Sequence, residues 1–339
     1  MKRKTLLFFL LVLLIFDPMP SCKKDVPVLK IGLASAFGTL HDGGFNQQVL
    51  TGLETAALDI PISWVARECA TAAEMDSNIW YFAKNNYDIV ISLGYNASEA
   101  TLQAANSYPS TKFILLDYAF PTVPSNLVCI NYKVDEASFP CGYLAAYWAN
   151  LKDPASPIVG YVAGPQIPEI DQFTVSFEKG MEYYNSRYHK TVTAAGSHAG
   201  NFNDTLQGAN LADSLIRRGA DVIFACGGRM GNGALYKAKE SKVNAIGVDT
   251  DQYYSIPDVG SNLLTSCMKR LDVSVGMELN SISNGQFHGG QILHSDLQNN
   301  GVDLAPYHDF DTQISNTIKQ EIQAIKSGIK NGTISTGWK

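Results

Sequence analysis

The stretch Leu29-Lys30-Ile31-Gly32-Leu33-Ala34-Ser35, followed by Asp42-Gly43-Gly44-Phe45-Asn46-Gln47, decides the fold. The first segment is an apolar strand, and the second is a glycine turn that opens a helix near Asn46. Open α/β sheets bind ligands at such turns, outside the carboxyl ends of their parallel strands. An aromatic ring, an amide and a carboxylate at this turn suit a small polar ring compound. An ordinary turn is equally consistent, with Asp42 or Asn46 capping the helix and Phe45 in the core.

Short apolar runs alternate with amphipathic segments along the rest of the chain, which predicts βαβ units and parallel sheets. The alternation starts at Leu29 and begins again at Ile158, so we predict an α/β fold of two doubly wound, Rossmann-like lobes with a hinge. The 339-residue length agrees, because single cores stop growing at about 250–300 residues. The predicted strands are 29–35, 62–66, 89–93, 113–117 and 128–131 in one lobe, and 158–163, 192–196, 222–226 and 245–248 in the other.

The order of elements becomes less regular after Asp251, which we interpret as the chain returning to the first lobe and then to the second. The predicted N-terminal lobe is 29–131 plus 257–285, and the predicted C-terminal lobe is 132–256 plus 286–339. Two lobes that share several crossing segments can close over a ligand by hinge motion.

The N-terminus is typical of an exported lipoprotein. Residues 1–21 form a predicted signal peptide, in which Lys2, Arg3 and Lys4 precede the apolar run from Thr5 to Phe16. A membrane-spanning helix needs about 20 apolar residues, and this run is too short. Cys22 after a small residue resembles a bacterial lipobox, with Cys22 acylated and residues 22–28 as a tether. A plain signal peptide cut nearby is the alternative. We predict a membrane-anchored protein on the extracytoplasmic (periplasmic) side.

Composition excludes several classes of function. The net charge of −6 argues against a nucleic-acid partner and against peripheral binding to anionic lipid. The six histidines lack metal-ligand spacing, so neither a metal nor a cofactor is expected. If Cys22 carries lipid, five cysteines remain, and we predict no disulfide because Cys129 and Cys226 lie in apolar strands.

Polar or aromatic groups recur where the predicted strands end, which predicts a ligand cleft at these ends. Any one of the aspartates alone is better explained as a helix cap or a hinge ion pair, Phe202 fits a core position equally well, and Lys269 also fits a solvated helix start or an interlobe ion pair. A glycine-rich loop at one exit lacks the ending of a P-loop and is predicted to form a wall that a ligand can approach closely. The candidates are Asp117, Phe202, Gly227, Gly228, Asp249, Asp251 and Lys269.

Four motifs carry a family resemblance. Phe45-Asn46-Gln47, Gly231-Asn232-Gly233, the run from Ile246 to Tyr253 and the run from Leu264 to Asp272 resemble the basic membrane protein family of lipoproteins. Within that family the chain is most similar to purine nucleoside receptors, which are the substrate-binding components of ABC transporters. The resemblance covers nearly the whole mature chain in the same order.

The resemblance implies a type I periplasmic-binding-protein fold that delivers a nucleoside to an ABC permease, acts as a monomer and is not an enzyme. It implies that Phe45 and Phe202 enclose the base. It also implies that Asn46, Asp117, Asp249 and Lys269 hold ribose or base heteroatoms, with Gly227 and Gly228 lining the site; Asp42, Ala36 and Asp251 are further candidates.

One position departs from the family pattern. Ala36 stands where purine receptors commonly carry an aspartate, and His41 or Glu169 are the candidates to compensate. Two other functions stay open: the same fold binding a sugar or another cyclic ligand, or a nucleoside-cleaving hydrolase. The hydrolase would use Asp249 and Asp251 to stabilise an oxocarbenium-like transition state. The i, i+2 spacing of these aspartates also fits one ligand contact plus one helix cap.

Overall fold

A computed structural model of the chain describes residues 28–339. The predicted signal peptide, Cys22 and all of the predicted tether except Val28 lie outside the described residues. Two α/β lobes follow, and each is built on a six-stranded sheet.

The strands occur in chain order as β1 (Leu29–Phe37), β2 (Ile62–Cys69), β3 (Ile89–Leu93), β4 (Lys112–Leu116), β5 (Leu127–Tyr132), β6 (Ile158–Ala163), β7 (Thr193–His198), β8 (Val222–Cys226), β9 (Asn244–Asp249), β10 (Leu263–Lys269), β11 (Ile292–Ser295) and β12 (Val302–Leu304). The helices are α1 (Phe45–Ala56), α2 (Ala72–Lys84), α3 (Ser98–Ser107), α4 (Val134–Lys152), α5 (Pro168–Tyr188), α6 (Thr205–Arg217), α7 (Gly228–Glu240), α8 (Gln252–Ser255), α9 (Pro257–Gly260), α10 (Leu271–Ser283) and α11 (Asn316–Lys330).

The two sheets have the same strand order. The first sheet runs β2-β1-β3-β4-β5-β11, and all its neighbours are parallel. The second sheet runs β7-β6-β8-β9-β10-β12, and only β12 is antiparallel. Each strand of the first lobe therefore has an equivalent in the second, and the predicted pair of doubly wound lobes is confirmed.

Alternation along the strands explains why helices cover both faces of the first sheet. Ile31 and Leu33 of β1 pack with Val49 and Leu53 of α1. The intervening Ala34 packs on the opposite side with α2 and α3. Strands buried on both faces read as continuous apolar runs, which is why they were visible in the sequence.

The predicted lobe boundaries are wrong for two segments. We assigned 257–285 to the N-terminal lobe, but β10 pairs with β9 in the second sheet, and the chain crosses only after Lys269. We assigned 286–339 to the C-terminal lobe, but β11 pairs with β5 in the first sheet. A short apolar run predicts a strand without identifying its partner, because pairing is decided by distant residues.

The lobes are joined by three crossings, which lie between β5 and α4, between β10 and α10, and between β11 and β12. The Lys133 backbone N–H donates to the Ser295 carbonyl at 2.8 Å, and the Arg270 N–H donates to the Gly301 carbonyl at 2.8 Å. These backbone bonds tie each of the first two crossings to the third, so the crossings together form the hinge.

The cysteines of the described chain are not paired with one another. Cys69, Cys129, Cys141, Cys226 and Cys267 are all buried and free. Within residues 28–339, no helix is long and apolar enough to cross a membrane.

Candidate functional site

A cavity of about 110 Å³ lies between the lobes, at the carboxyl ends of the parallel strands. Ten of the eleven candidate binding residues line it. These are Ala36, Asp42, Phe45, Asn46, Asp117, Phe202, Gly227, Gly228, Asp249 and Lys269. Both lobes contribute, so a ligand held here would contact both lobes at once.

Asp117, Asp249 and Lys269 form the charged centre of the cavity. Asp117 follows β4, and Asp249 ends the equivalent strand β9; both adopt left-handed backbone conformations, with φ of 62° and 67°. Lys269 is the last residue of β10 and is only 3% exposed. Its Nζ donates to Asp117 Oδ2 at 2.7 Å and lies 5.4 Å from the centre of the Phe45 ring. Non-glycine residues with positive φ cluster at functional sites, where the surroundings hold them in place.

Burial and mutual contact shift the pKa values of these three side chains. Burial raises the pKa of Asp249 to about 7; Lys269 opposes that rise, and the charge of Asp117 adds to it. Burial also raises the pKa of Asp117, against the opposing effect of Lys269. For Lys269, burial lowers the pKa, but nearby carboxylates reverse this and hold it above its ordinary value. Lys269 therefore stays protonated.

Asp42 and Asn46 organise the turn that follows β1. The Asp42 carboxylate accepts backbone N–H bonds from Gly44 at 2.9 Å, Asn46 at 3.0 Å and Gln47 at 3.2 Å, so it caps α1. The Asn46 side chain accepts from the Ala36 N–H at 2.9 Å and donates to the Thr39 carbonyl at 3.1 Å. The capping role considered for Asp42 is therefore correct. Both side chains line the cavity while bracing its wall, and their contact with a ligand stays a prediction.

The two phenylalanines come from different lobes. Phe45 is the first residue of α1, and its ring lies near Gly94. The Phe202 ring lies against Gly164, where a Cβ would collide with it. Gly228 has a φ of 56°, which favours glycine, and its neighbourhood includes the Phe202 carbonyl.

The prediction that Asp251 could contact the ligand needs correction, because Asp251 does not line the cavity. Its Oδ1 accepts from the Tyr253 N–H at 3.3 Å and caps α8, and its Oδ2 lies 2.8 Å from His308 Nε2. Two residues beyond a strand end, the chain has already turned away from the cleft. Of the two aspartates that suggested a hydrolase, only Asp249 faces the cavity.

Several cavity residues were absent from the predicted ligand contacts, although Glu169 was considered as a substitute for the carboxylate missing at Ala36. Tyr95 and Asn96 follow β3 directly, so the strand-end argument would have found them. Arg229, which the sequence places in a glycine-rich loop, is the second residue of α7, and it makes no ion pair within residues 28–339. Glu169 lies in the first turn of α5, and its Oε2 is buried without a hydrogen-bond partner in the described chain. Burial raises the pKa of Glu169, and the charge of Asp117 adds to that rise.

Hydrogen bonds between the lobes hold the turn after β1 against the second lobe. Ser255 Oγ donates to the Gly43 carbonyl at 2.7 Å, and Asn232 Nδ2 donates to the Asp42 carbonyl at 2.8 Å. Gln252 donates to Asn232 Oδ1 at 3.1 Å, which fixes the orientation of that amide. We call Asn232, Gln252 and Ser255 the latch. Its bonds join the two lobes across the cleft.

Two lobes of equal topology that enclose a polar and aromatic cavity define a two-lobed binding protein. Solved structures share this fold. An ABC transporter solute-binding protein from Aeropyrum pernix K1 has a TM-score of 0.84 at 23% identity, over 91% of this chain and 93% of that chain. An ABC transporter periplasmic solute-binding protein from Actinobacillus succinogenes, with bound D-allose, has a TM-score of 0.61 at 15% identity, over 84% of this chain and 99% of that one. The predicted type I periplasmic-binding-protein fold is confirmed.

The chain belongs to the family described as ABC transporter substrate-binding protein PnrA-like, whose model matches residues 30–337. Basic membrane protein A of Borreliella burgdorferi is 28% identical over 304 residues, which is 88% of this chain and 84% of that protein. A protein of Lactococcus lactis named ABC transporter nucleoside-binding protein BmpA is 26% identical over 91% of this chain and 88% of that protein. The resemblance to the basic membrane protein family is confirmed, and the family is one of substrate-binding proteins.

Proposed function

We propose that the protein captures a nucleoside between its lobes and presents it to the permease of an ABC transporter. The observation that carries this proposal is the composition of the interlobe cavity. It combines aromatic rings from opposite lobes, Phe45 and Phe202, with two carboxylates and one buried lysine at the strand ends. A flat base and a hydroxylated sugar need this combination, and the name of the Lactococcus lactis relative agrees with it.

Phe45 and Phe202 provide the apolar surfaces for the base. Stacking of a base on an aromatic side chain contributes about 1–3 kcal/mol and tolerates differences between bases. Because the rings belong to different lobes, stacking on both requires closure, and binding is thereby coupled to the conformation that a permease can recognise.

Asp249 is the proposed ribose ligand. It is 6% exposed, and within residues 28–339 no cation lies within ion-pair distance of it. A carboxylate that accepts both hydroxyls of a cis-diol forms charge-assisted hydrogen bonds and rejects ligands that lack them. Lys269 and Asp117 form the adjacent ion pair and supply further polar contacts.

The proposal describes a binding protein rather than a nucleoside-cleaving enzyme. The carboxylate pair that suggested hydrolysis is divided, since Asp251 serves α8 and His308 outside the cavity. Recovery of intact inosine after prolonged incubation would support binding alone, whereas hypoxanthine and ribose in the product would establish the hydrolase.

Export and anchoring form part of the same proposal. We propose that Cys22 carries the lipid and that a monomer works at the extracytoplasmic face of the membrane. A Cys22→Ser variant should lose incorporation of labelled fatty acid and leave the membrane fraction. Retention of label in that variant would place the anchor elsewhere.

The direct test is the thermal stability of the exported chain carrying Cys22→Ser, measured with nucleosides, free bases and pentoses. A ligand at about 100 times its dissociation constant stabilises a protein by about 2.7 kcal/mol, which raises the melting temperature measurably. Stabilisation by nucleosides but not by bases or ribose is expected. Stabilisation by pentoses alone would replace the nucleoside with a sugar ligand.

A further inference from the structure

Glu169 is a cavity carboxylate with one oxygen, Oε2, that no donor within residues 28–339 reaches. It is the second residue of α5 and reaches the cavity from the second lobe. Its Oε2 is buried and has no hydrogen-bond partner within residues 28–339. A buried carboxylate oxygen without a donor is costly, and such an atom in a native site needs an explanation. A ligand that fills the cavity can supply the missing donor.

Two of the other carboxylates of the cavity, its buried lysine and the Asn46 amide already have partners. Lys269 is paired with Asp117 at 2.7 Å and forms no ion pair with Glu169. Asp42 accepts three backbone N–H bonds, and the Asn46 amide binds the backbone of Ala36 and Thr39. Ala36, at the end of β1, has no polar side chain to offer. Glu169 and Asp249 are therefore the two carboxylates left to receive ligand donors.

These two carboxylates have different surroundings in the cavity. Asp249 lies beside Gly44, in the turn that the latch holds. Glu169 lies on the hinge side, where it and Asp117 also line a second cavity of about 360 Å³ next to Lys133 of the first crossing. A ligand with one hydroxylated end and one end rich in N–H groups can satisfy both carboxylates, and a nucleoside has this form.

We propose that Glu169 selects the base by accepting hydrogen bonds from adjacent ring N–H and amino donors, as on a guanine-type base. This inference rests on the proposed nucleoside-binding function. Guanine offers two such donors, hypoxanthine offers the ring N–H alone, and adenine places a ring acceptor next to its amino group. The carboxylate therefore ranks guanosine above inosine, and inosine above adenosine.

The sharpest test replaces Glu169 by glutamine, which keeps the shape and exchanges one acceptor for a donor. Calorimetric titration of guanosine, inosine and adenosine is compared between the exported Cys22→Ser protein and its Glu169→Gln variant. Guanosine should lose about 10- to 100-fold in affinity, as expected for hydrogen bonds to a charged group. Adenosine should bind more tightly than before, because the glutamine amide complements its donor and acceptor edge. The preference between guanosine and adenosine should reverse.

The matched control is Asp171→Asn, which removes the same charge two residues further along the first turn of α5 without lining the cavity. Its order of preference should stay that of the parent protein. Melting of both ligand-free variants verifies that they are folded. A guanosine-to-adenosine ratio that changes less than threefold in Glu169→Gln overturns the role of Glu169, while the nucleoside function stands. Absence of binding of all three nucleosides to the parent protein overturns both.

Discussion

The two lobes share one strand order but bring different chemical groups to the cavity. The fourth strand of each lobe, β4 or β9, leads to an aspartate with positive φ, Asp117 or Asp249. The next strand ends differently, since β5 ends at Tyr132 and β10 ends at Lys269. Lys269 therefore acts electrostatically on both equivalent aspartates, and it forms an ion pair with Asp117 of the opposite lobe.

This difference shows how two lobes of the same topology form an asymmetric site. The strand ends fix where the carboxylates lie, and the different residues at the end of the following strand, Tyr132 and Lys269, make their environments unequal. Asp117 has its charge balanced within the protein, while Asp249 is left to receive donors from a ligand. Substitutions at these residues test this difference between the two aspartates.

The largest effect is expected for Lys269→Met, which removes the cation shared by the two lobes. Asp117 would become a buried carboxylate without a partner, and breaking a buried pair in this way costs about 3–5 kcal/mol. The free energy of unfolding, measured with denaturant, should fall by this amount.

Lys133→Met is the matched control for that variant. Lys133 is half-exposed and pairs with Asp296 at 3.4 Å and Glu136 at 3.6 Å. Exposed pairs contribute about 0–1 kcal/mol, so this loss should be small. Equal losses in the two variants would show that the Lys269–Asp117 pair is no more important than a surface pair.

Much of this scaffold could be predicted from the sequence. The buried strands β3, β6 and β8 were predicted with the bounds that the structure has, because they are apolar runs between clear turns. Helix α4 was not indicated, because it is buried on nearly all sides and contains Pro140, so it lacks the polar face that marks an amphipathic helix. Strands β10 and β11 were assigned to the wrong lobes, because no local feature of the sequence indicates which strand each one pairs with.

For the site as well, the sequence predicted what depends on local segments and missed what depends on contacts between distant residues. Asp117, Asp249 and Lys269 were found because strand ends converge by topology alone. The pairing of Lys269 with Asp117 rather than with Asp249 depends on how the lobes close, which no segment encodes by itself. Glu169 was noticed only as a possible substitute for the missing carboxylate at Ala36. Its unpartnered oxygen is visible only in three dimensions.

The second-largest effect is expected in the pH dependence of the free energy of unfolding, to which Asp249 contributes. Its pKa is raised from 3.8 to about 7 in the folded chain, so folding favours the protonated form. Its contribution to stability is complete below about pH 4 and is lost as the pH rises to about 7. Asp249→Asn should remove that loss and stabilise the ligand-free protein at pH 8, by at most about 4 kcal/mol at 1.36 kcal/mol per pKa unit.

Unfolding free energies measured between pH 5 and pH 8 test this expectation. The profile of Asp249→Asn should be flatter than that of the parent, while exposed Asp59→Asn should follow the parent. Asp117→Asn should act in the opposite direction at pH 8, because it leaves Lys269 without its partner. Parallel profiles for Asp249→Asn and the parent would refute the inequality of the two aspartates.

The third effect concerns the aromatic contributions of the two lobes. Phe45→Ala and Phe202→Ala should each weaken guanosine binding by about 1–3 kcal/mol in calorimetric titration. Tyr254→Ala, at an exposed aromatic residue outside the cavity, should leave affinity unchanged. A loss in only one of the two phenylalanine variants would mean that a single lobe supplies the stacking surface.

The smallest effect is expected at the latch, which joins the two lobes. Ser255→Ala removes the 2.7 Å bond to the Gly43 carbonyl, and a typical hydrogen bond contributes about 0.5–1.5 kcal/mol. Because this bond joins the two lobes, its loss should favour the open state and speed guanosine release about 2- to 10-fold in stopped-flow experiments. Ser261→Ala, at an exposed serine on the same lobe, is the control. If Ser255→Ala instead slowed association and left release unchanged, the latch bond would form before the ligand is enclosed, and the hinge alone would set the closed state.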